Sequence, residues 1–483
     1  MDRNAYTAGR KTRLRLFATT AAALSLAAGL PARAESLADA IAAAYQGNPA
    51  MQQARAQQRV TDEGYVQAKA GLRPTINVQV QAQRQDFDNV TSNSGQATIV
   101  ANQPLYTGGR VSAAVSAAEA DVLAGRESLR QSEASLLQAV VQAYADTLRD
   151  QESLAIEQKN LAALNDQLME AQSRAKVGDL TRTDVAQSQG YVAQARAQLA
   201  QAKAQLEVSK AAYVAVIGHE PGALEALPPL PNMPATLDQA ADTATGANPS
   251  LRAAQYSAQG AQMRTAEARR ARLPSANLQF QFGGAGPVSQ FAPDIYARQI
   301  TALATVTMPI FSGGVINSQI RQQIEHENIA KLQVDENSRS MIQQLRQYWN
   351  AYQAAKEDID DAAEQVKADE VAYTGVQKER QADLRSTLEV LSIEQSLFQA
   401  QQSEAIAKHD SYVAAANLLA AMGLLEAKIL VPGVNLYDPV KAFNKVKNAG
   451  AVPWEILPEA IDGLGLPSLH RLPDPPTSLP HGN

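Results

Sequence analysis

Side chains able to carry out catalysis or hold a metal are few in this sequence and widely separated. The chain contains no cysteine, which excludes a thiol nucleophile, a disulfide and a thiolate metal site. His326-Glu327 begins like a zinc-binding helix motif, but no second histidine follows four residues after the first. Acidic neighbours such as Asp360-Asp361 lie within charged helical repeats, where a solvated surface is the ordinary explanation. The sequence therefore predicts a protein that is not an enzyme and that needs no cofactor or metal.

Composition and charge narrow the class of protein further. The 483 residues carry a formal net charge of -6, so no basic footprint for nucleic acid is present and we expect no nucleic-acid partner. Only 5% of the residues are aromatic, whereas Ala and Gln are abundant. This balance favours long helices with small contacts over one thick, aromatic-filled core.

The first 34 residues are predicted to be a secretory signal peptide. A basic stretch at 10–15 precedes an apolar stretch at 16–30, and the small residues Ala32 and Ala34 then place the expected cleavage before Glu35. An N-terminal membrane anchor is the weaker alternative, because a spanning helix needs about 20 apolar residues. No later segment has an uninterrupted apolar run of that kind, so insertion of the mature chain into a membrane would require strands.

The chain also repeats itself. The repeat predicts a signal segment at 1–34, a first structural repeat at 35–218, a proline-rich linker at 219–236, a second repeat at 237–424 and a proline-rich C-terminal segment at 425–483. We expect one short helix in the last segment, with Asp438 as its N-cap, followed by a disordered tail. The matching landmarks are Asn48-Pro49 with Asn248-Pro249, Gly108-Gly109 with Gly313-Gly314, Asp179-Leu180 with Asp383-Leu384, and Gly218 with Gly423.

Each repeat is predicted to contain one helix, one β-hairpin and one long helical hairpin. In the first repeat the helix is expected at about 36–71 and the returning strand at about 96–106, and the second repeat has its returning strand at about 297–311. Around 75–83 apolar and polar residues alternate with a period of two, which is typical of a strand with one apolar and one polar face. After each Gly-Gly pair the apolar period becomes about seven, which favours coiled-coil packing of a helix about 100 Å long.

Such strands constrain the assembly. Strands with an apolar face persist in lipid only as a closed barrel, and four strands are too few because small barrels need about eight. The chain is therefore expected to oligomerise to eight or twelve strands, and a polar inner face favours the wider, water-filled option. A periplasmic coiled-coil scaffold or adaptor whose hairpins form a small β-domain is the alternative. Tyr106 and Phe311, at equivalent strand ends, are candidates for membrane-interface aromatics or for ordinary packing residues.

The ordered set of motifs resembles the TolC-like outer-membrane efflux and type I secretion channels. The motifs are NPA and NPS, RPTINV and LPSANL, PLYTGGR and PIFSGGV, and the hairpin tips VGDLTRTDVAQSQ and ADLRSTLEVLSIEQ. The resemblance implies a mainly α fold with a small membrane β part, in which a homotrimer forms a twelve-stranded β-barrel and an α-barrel of antiparallel coiled-coil helices. It also implies a location in the outer membrane with extension into the periplasm. The implied partners are outer-membrane lipid, a periplasmic adaptor and an inner-membrane ABC or RND transporter, and the cargo is drugs or polypeptides.

The same resemblance assigns roles at the periplasmic tip. Thr183, Asp184 and Arg385 match the polar links that hold the tunnel shut. Glu389 matches an acidic residue that lines the constriction, and Ser392 stands where a second acidic ring is often found. Three copies of Glu389 near an axis would favour cations and would raise one another's pKa. The alternative for Glu389 and Arg385 is an ordinary charge on a solvated helix.

Two residues at the tip depart from the family pattern. Arg380 replaces a tyrosine associated with the lock, and Asp383 replaces a turn glycine. Both departures bear on the closed state and on the surface offered to the adaptor. The adaptor-facing tips are predicted to comprise Gly178, Asp179, Leu180, Asp383 and Leu384.

Overall fold

The protein is described by a computed structural model that covers residues 34–88, 90–287, 297–382, 384–431, 433 and 436–475. Apart from Ala34, the predicted signal segment lies outside these residues, as does most of the predicted disordered tail. None of the helices in the described ranges combines the length and the hydropathy needed to cross a membrane.

The first half of the chain alternates short helices, a β-hairpin and two long helices. Helix α3 has 67 residues and α4 has 36. The short 3-10 turn Ala70–Leu72 separates α2 from β1. The elements are α1 (Leu37–Gly47), α2 (Pro49–Lys69), β1 (Thr75–Phe87), β2 (Val90–Tyr106), α3 (Arg110–Lys176) and α4 (Arg182–Ile217).

The second half repeats this order, and a C-terminal segment with three short helices follows. Helices α7 and α8 again have 67 and 36 residues, so the predicted duplication is present in the fold. The elements are α5 (Leu237–Ala247), α6 (Pro249–Arg270), β3 (Ser275–Pro287), β4 (Ala297–Thr307), α7 (Val315–Gln381), α8 (Thr387–Met422), α9 (Ala427–Leu430), α10 (Pro439–Val446) and α11 (Ile456–Asp462).

The single helix predicted at 36–71 is wrong, because the chain breaks at Asn48. Proline at position 49 has no N–H to donate and disfavours helical geometry in the residue before it. Asn48 accordingly has φ −66° and ψ 126°, ending α1 and capping α2. The returning strands also differ from expectation, since β2 begins earlier, at Val90, and β4 ends earlier, at Thr307.

The Asn-Pro landmark has the same structural role in both repeats. The side-chain oxygen of Asn48 accepts a hydrogen bond from the N–H of Ala50 (2.9 Å), and its amide donates to the carbonyl of Val216 at the end of α4 (2.8 Å). Asn248 makes the equivalent bond to the carbonyl of Ala421 at the end of α8 (2.9 Å). One side chain therefore both starts a helix and fixes it against the last turn of the long hairpin.

Replacing either asparagine with alanine is expected to weaken the junction, and the second site is expected to be the more sensitive. Loss of the cap and of one buried hydrogen bond should cost about 1–2 kcal/mol. Asn48→Ala and Asn248→Ala form a matched pair, because Asn248 is buried and Asn48 is only half-buried. The midpoint of guanidinium unfolding, followed by helical circular dichroism, measures the effect. Equal midpoints for both variants and the parent would contradict this role.

The main core lies where the short helices meet the middle of the long ones. It includes Leu137 and Tyr144 of α3, Tyr213 of α4 and Met422 of α8, all almost fully buried. A second, smaller apolar cluster near the far end of the long helices joins Leu164, Val192, Ala195 and Leu391. Apolar burial therefore holds α3, α4 and α8 together at two levels, and the remaining length depends on small contacts.

The two hairpins combine into one antiparallel sheet in the order β1-β2-β3-β4. Thr75 pairs with Asn102 in the first hairpin, and the equivalent Ser275 pairs with Thr307 in the second. The repeat offset is 200 residues before each hairpin turn and 205 after it, so the extra five residues lie in the connection between β3 and β4. The duplication thus preserves strand register while the loop changes in length.

Candidate functional site

Strand register places nearly all the apolar residues of the sheet on one face. Val78 pairs with Ile99, which pairs with Phe282 on β3, and Phe282 pairs with Ile300 on β4. These side chains are exposed in the single chain, with 72% of Val78 and 71% of Ile300 accessible. An apolar surface of this kind indicates contact with something other than water. The face also carries Gln103 near its helical end and Arg84, Asp86 and Arg298 toward the hairpin turns. Its larger apolar members and alanines are Ile76, Val78, Val80, Ala97, Ile99, Ala101, Leu278, Phe280, Phe282, Ile300, Ala302, Ala304 and Val306.

The opposite face of the sheet is mainly polar. Leu303, the apolar residue that interrupts the alternation, pairs with Gln279 and so belongs to this face. Val100 is a second exception and is almost fully buried. The polar members include Asn77, Gln79, Gln81, Gln96, Thr98, Asn102, Asn277, Gln279, Gln281, Gln299, Thr301 and Thr305.

The two predicted interface aromatics differ in their surroundings. Tyr106 is the last residue of β2 and pairs with Ala276, directly beside the apolar face. Phe311 lies beyond the end of β4 and is 90% exposed. Both residues lie at the junction between a strand and the long helix that follows it. They are therefore at equivalent places in the two repeats, although only Tyr106 belongs to a strand.

The turns at the far end of the long helices are equivalent in the two repeats. The N–H of Asp179 donates to the carbonyl of Arg174 (3.0 Å), and the N–H of Leu384 donates to that of Glu379 (2.9 Å). Asp179 therefore corresponds to Leu384, so the sequence pairing of Asp179-Leu180 with Asp383-Leu384 was wrong by one residue. The Asp-Leu pairs match at an offset of 204 residues, whereas the turn hydrogen bonds fix the offset at 205, the value that also relates Gly218 to Gly423.

Glycine at the first turn has a conformational cause. Gly178 has φ +88°, in the left-handed region that favours glycine. Its counterpart in the second repeat, Asp383, lies outside the described residues. Of the other residues predicted to face an adaptor, Asp179 and Leu384 are exposed and Leu180 is half-buried.

Each tip helix begins with a capping box. In α4 the carboxylate of Asp184 accepts from the N–H (2.9 Å) and hydroxyl (2.8 Å) of Thr181. In α8 the carboxylate of Glu389 accepts from the N–H of Ser386 (2.9 Å) in the same way. The backbone N–H groups of Thr181 and Ser386 hold the pKa of Asp184 and of Glu389, respectively, below its usual range. Within one chain both tip carboxylates are therefore ionised, and both accept hydrogen bonds from their own N-cap residues.

Arg385 and Glu389, both predicted site residues, are brought together. The Arg385 guanidinium lies 3.2 Å from Glu389 and 2.8 Å from Glu379. Thr183 is exposed, and in the described chain Arg385 does not reach Thr183 or Asp184. A link between these residues therefore requires a different chain or a different state.

Ser392 and Arg380 occupy contrasting positions. Ser392 is exposed one turn after Glu389, on the same side of α8. Arg380 instead forms an ion pair with Glu170 of α3 and lines a cavity of about 290 Å³ between α3, α7 and α8. Arg380 thus binds an acidic group within its own chain.

Sequence reasoning missed Glu394, which is buried beside this cavity. The Tyr373 hydroxyl donates to its carboxylate (2.8 Å), and Gln167 donates to it as well. Burial raises the pKa of Glu394. The available signal was helical spacing. Glu394 and Leu397 follow Val390 by four and seven residues, which places all three on the buried side of α8.

A second missed residue is Asp462, the last residue of α11. Its buried carboxylate accepts from the N–H groups of Thr107 (2.6 Å), Gly109 (3.0 Å) and Ser112 (3.1 Å) and from two hydroxyls. Burial opposes its ionisation, but the N–H groups of Thr107 and Gly109 outweigh that effect and hold the pKa of Asp462 below its usual range. Asp462 therefore supplies the N-terminal cap that glycine cannot provide for α3.

Both glycines of the first Gly-Gly pair have positive φ, and Gly109 also packs closely against the backbone of α11. Gly109 has φ +78°, and a Cβ there would lie only 2.8 Å from the Asp462 carbonyl oxygen. The equivalent Gly314 also has positive φ, but an added Cβ there would meet no described atom within 4 Å. The C-terminal segment thus makes the two repeats unequal at the base of the sheet.

Long paired helices, hairpin tips with capped carboxylates and a four-stranded sheet with one apolar face define a channel-forming class of outer membrane protein. The sequence matches the family described as outer membrane efflux protein over residues 40–219 and 240–424, and the chain belongs to that family. The predicted TolC-like resemblance and the outer-membrane location are therefore confirmed.

Individual relatives support this assignment. The chain is 30% identical to the outer membrane efflux protein BepC of Brucella suis over 87% of its own length and 92% of the relative. It is 23% identical to the alkaline protease secretion protein AprF of Pseudomonas aeruginosa over 64% and 65%. The crystal structure of the outer membrane protein VceC of Vibrio cholerae superimposes with a TM-score of 0.68 at 20% identity, covering 80% of this chain and 96% of that one. This likeness confirms the predicted fold, mainly helical with a small β part.

Proposed function

We propose that three copies of this chain form a passive, non-catalytic conduit that crosses the outer membrane as a twelve-stranded β-barrel and extends through the periplasm as an α-helical tunnel. The exposed apolar face of the sheet carries the proposal. Its β1 and β4 edges offer unpaired backbone groups, which lipid cannot satisfy. Pairing β4 of one copy with β1 of the next would satisfy them, and three copies give twelve strands around a polar lumen.

The long helices supply the periplasmic part. Helices α3 and α7, of 67 residues each, span about 100 Å at 1.5 Å per residue. Tyr106 and Phe311 would then lie at the periplasmic membrane interface, where amphipathic aromatic rings are favoured. The far tips would lie near the inner membrane.

The tips are the proposed point of opening and docking. A periplasmic adaptor would contact the turns at Gly178–Leu180 and at 383–384, and an inner-membrane ABC or RND transporter would supply energy and select the cargo. BepC is named an efflux protein and AprF a protease secretion protein. We therefore propose small molecules or polypeptides as cargo, carried by the same passive route.

Glu389 is proposed to line the constriction of the closed tip, one turn from Ser392. Ionised carboxylates from three copies would concentrate negative potential on the axis and favour cations. The Arg385 guanidinium, 3.2 Å away, offsets part of that charge. Arg385 would in addition take part in the links with Thr183 and Asp184 that hold the tip shut, now between neighbouring copies.

Planar-bilayer recording of Glu389→Gln tests the conduit and its constriction together. The parent protein should conduct ions and prefer cations, and the variant should lose that preference several-fold because the axial charge is removed. Asp184→Asn is the comparison variant: it removes the equivalent capping carboxylate from the first repeat and should keep the cation preference while raising the conductance, because Asp184 is proposed as a link and not as a lining residue of the constriction. A parent without conductance would contradict the proposed function. A conducting variant with an unchanged reversal potential would remove Glu389 from the constriction.

A further inference from the structure

The end of the C-terminal segment runs around the base of the sheet. Glu455 pairs with Lys69 (3.4 Å), the last residue of α2, and with Arg73 (3.1 Å), which follows the 3-10 turn after that helix. Asp462 caps the start of α3. Beyond it, Arg270 at the end of α6 donates to the carbonyl of Gly465 (2.7 Å). Residues 455–465 therefore cross the ends of three helices within one chain, at the level where strands become helices.

This segment also touches the sheet itself. The indole N–H of Trp454 donates to the side-chain oxygen of Gln103 (3.1 Å), and Gln103 pairs with Leu278 of the apolar face. Thr107, which Asp462 binds, directly follows Tyr106. Helix α11 thus lies immediately below the apolar face.

The outward side of this segment is apolar. Its inward side carries Asp462, which is 1% exposed, whereas Leu457 is 68% exposed and Ile461 follows one helical turn later. A surface helix normally turns its polar side to water. The exposed apolar residues, here called the junction patch, are Trp454, Ile456, Leu457, Ile461 and Leu464.

We propose that the junction patch docks on the periplasmic leaflet of the outer membrane and anchors each subunit at its helical base. The proposal rests on the proposed function, because it needs the sheet to lie in the bilayer. The patch continues the apolar face of the sheet, and Trp454 has the amphipathic ring favoured at a membrane interface. Exposed Arg269 and Arg272, which flank Arg270, offer positive charge to lipid phosphates.

A second copy of the chain is a less suitable occupant. Copies would meet through the β1 and β4 edges of the sheet, whereas residues 455–465 contact the ends of α2, α3 and α6. The contact with Gln103 places the patch next to the two central strands, β2 and β3. The patch therefore extends the surface that would face lipid.

Tryptophan quenching tests the docking directly. Trp349 and Trp454 are the two tryptophans of the chain, so Trp349→Phe leaves Trp454 as the reporter. The full mature protein is reconstituted in phosphatidylethanolamine–phosphatidylglycerol vesicles with brominated acyl chains. Trp454 is expected to emit at short wavelength and to lose most of its intensity to the bromolipid. Unquenched emission would overturn the inference. Unquenched emission at short wavelength would mean that protein covers the patch, and unquenched emission at long wavelength would mean that the patch faces water.

Three further proteins separate the possible failures. Leu457→Gln with Ile461→Gln should reduce the quenching of Trp454, whereas the tip pair Met169→Gln with Val177→Gln, equally exposed, should leave it unchanged. Val78→Trp, in a chain with both native tryptophans replaced by phenylalanine, reports on the sheet. Quenching of Val78→Trp without quenching of Trp454 would refute the docking alone. No quenching at either position would refute the proposed membrane barrel and the docking with it.

Discussion

Val80→Arg is expected to abolish stable insertion into the outer membrane. Val80 lies near the middle of β1 on the apolar face, with 78% of its side chain exposed in the single chain. An arginine at the bilayer midplane on the lipid side of a barrel costs about 2–4 kcal/mol. In a trimer this cost applies three times. Vesicle extraction with carbonate and the heat-dependent shift of unheated gel samples measure insertion.

Gln79→Arg is the control for this substitution. It introduces the same charge one residue earlier, on the polar face, because successive residues of a strand point to opposite sides. The control should insert normally and alter conductance, since its charge would face the lumen. Normal insertion of Val80→Arg, or failure of both variants, would contradict the assignment of the two faces.

Asp462→Ala is expected to destabilise the junction between sheet and helices by about 3 kcal/mol. The substitution removes a buried charge that accepts five hydrogen bonds and leaves N–H groups of Thr107, Gly109 and Ser112 without that acceptor. Asp438→Ala is the control, because it removes only the cap of α10, worth about 1 kcal/mol. Guanidinium unfolding in detergent measures both. Equal effects of the two substitutions would contradict the special role of Asp462.

The same carboxylate gives the junction a pH dependence of known sign. The pKa of Asp462 is lower in the folded protein than its ordinary value. Its contribution to the free energy of unfolding is therefore complete above the ordinary aspartate pKa and is lost as the pH falls through the lowered one. The stability difference between the parent and Asp462→Ala should shrink as the pH falls into that acidic range. A difference independent of pH would show that the hydrogen bonds do not depend on the charge.

The regular elements and the duplication could be predicted from sequence because their causes are local. Alternation around Val78 fixes a strand, the seven-residue period after Gly109 fixes a helix, and left-handed Gly218 and Gly423 end α4 and α8. The break at Asn48 also has a local cause, because proline disfavours helical geometry in the residue before it. The residue-by-residue match between the two tips depends on a turn hydrogen bond, which the residue types alone do not specify.

The candidate site was predicted only in part. Arg385 and Glu389 were identified through the family pattern and do lie together, within hydrogen-bond distance. Glu394 was missed because a buried glutamate is recognisable only once the helices that enclose it are placed. Helix α11 was missed because seven residues that include Pro458 show no usable period.

The sequence by itself determined the repeated order of helices and strands, the two faces of each hairpin and the family. The tertiary structure alone decided that β2 joins β3, that Asp462 caps a helix 353 residues earlier in the chain, and that the C-terminal segment turns an apolar side outward below the sheet. The physical reason is the distance along the chain over which each interaction acts. Periodicity and caps depend on residues within one or two turns, whereas these contacts depend on which distant surfaces gain most by meeting.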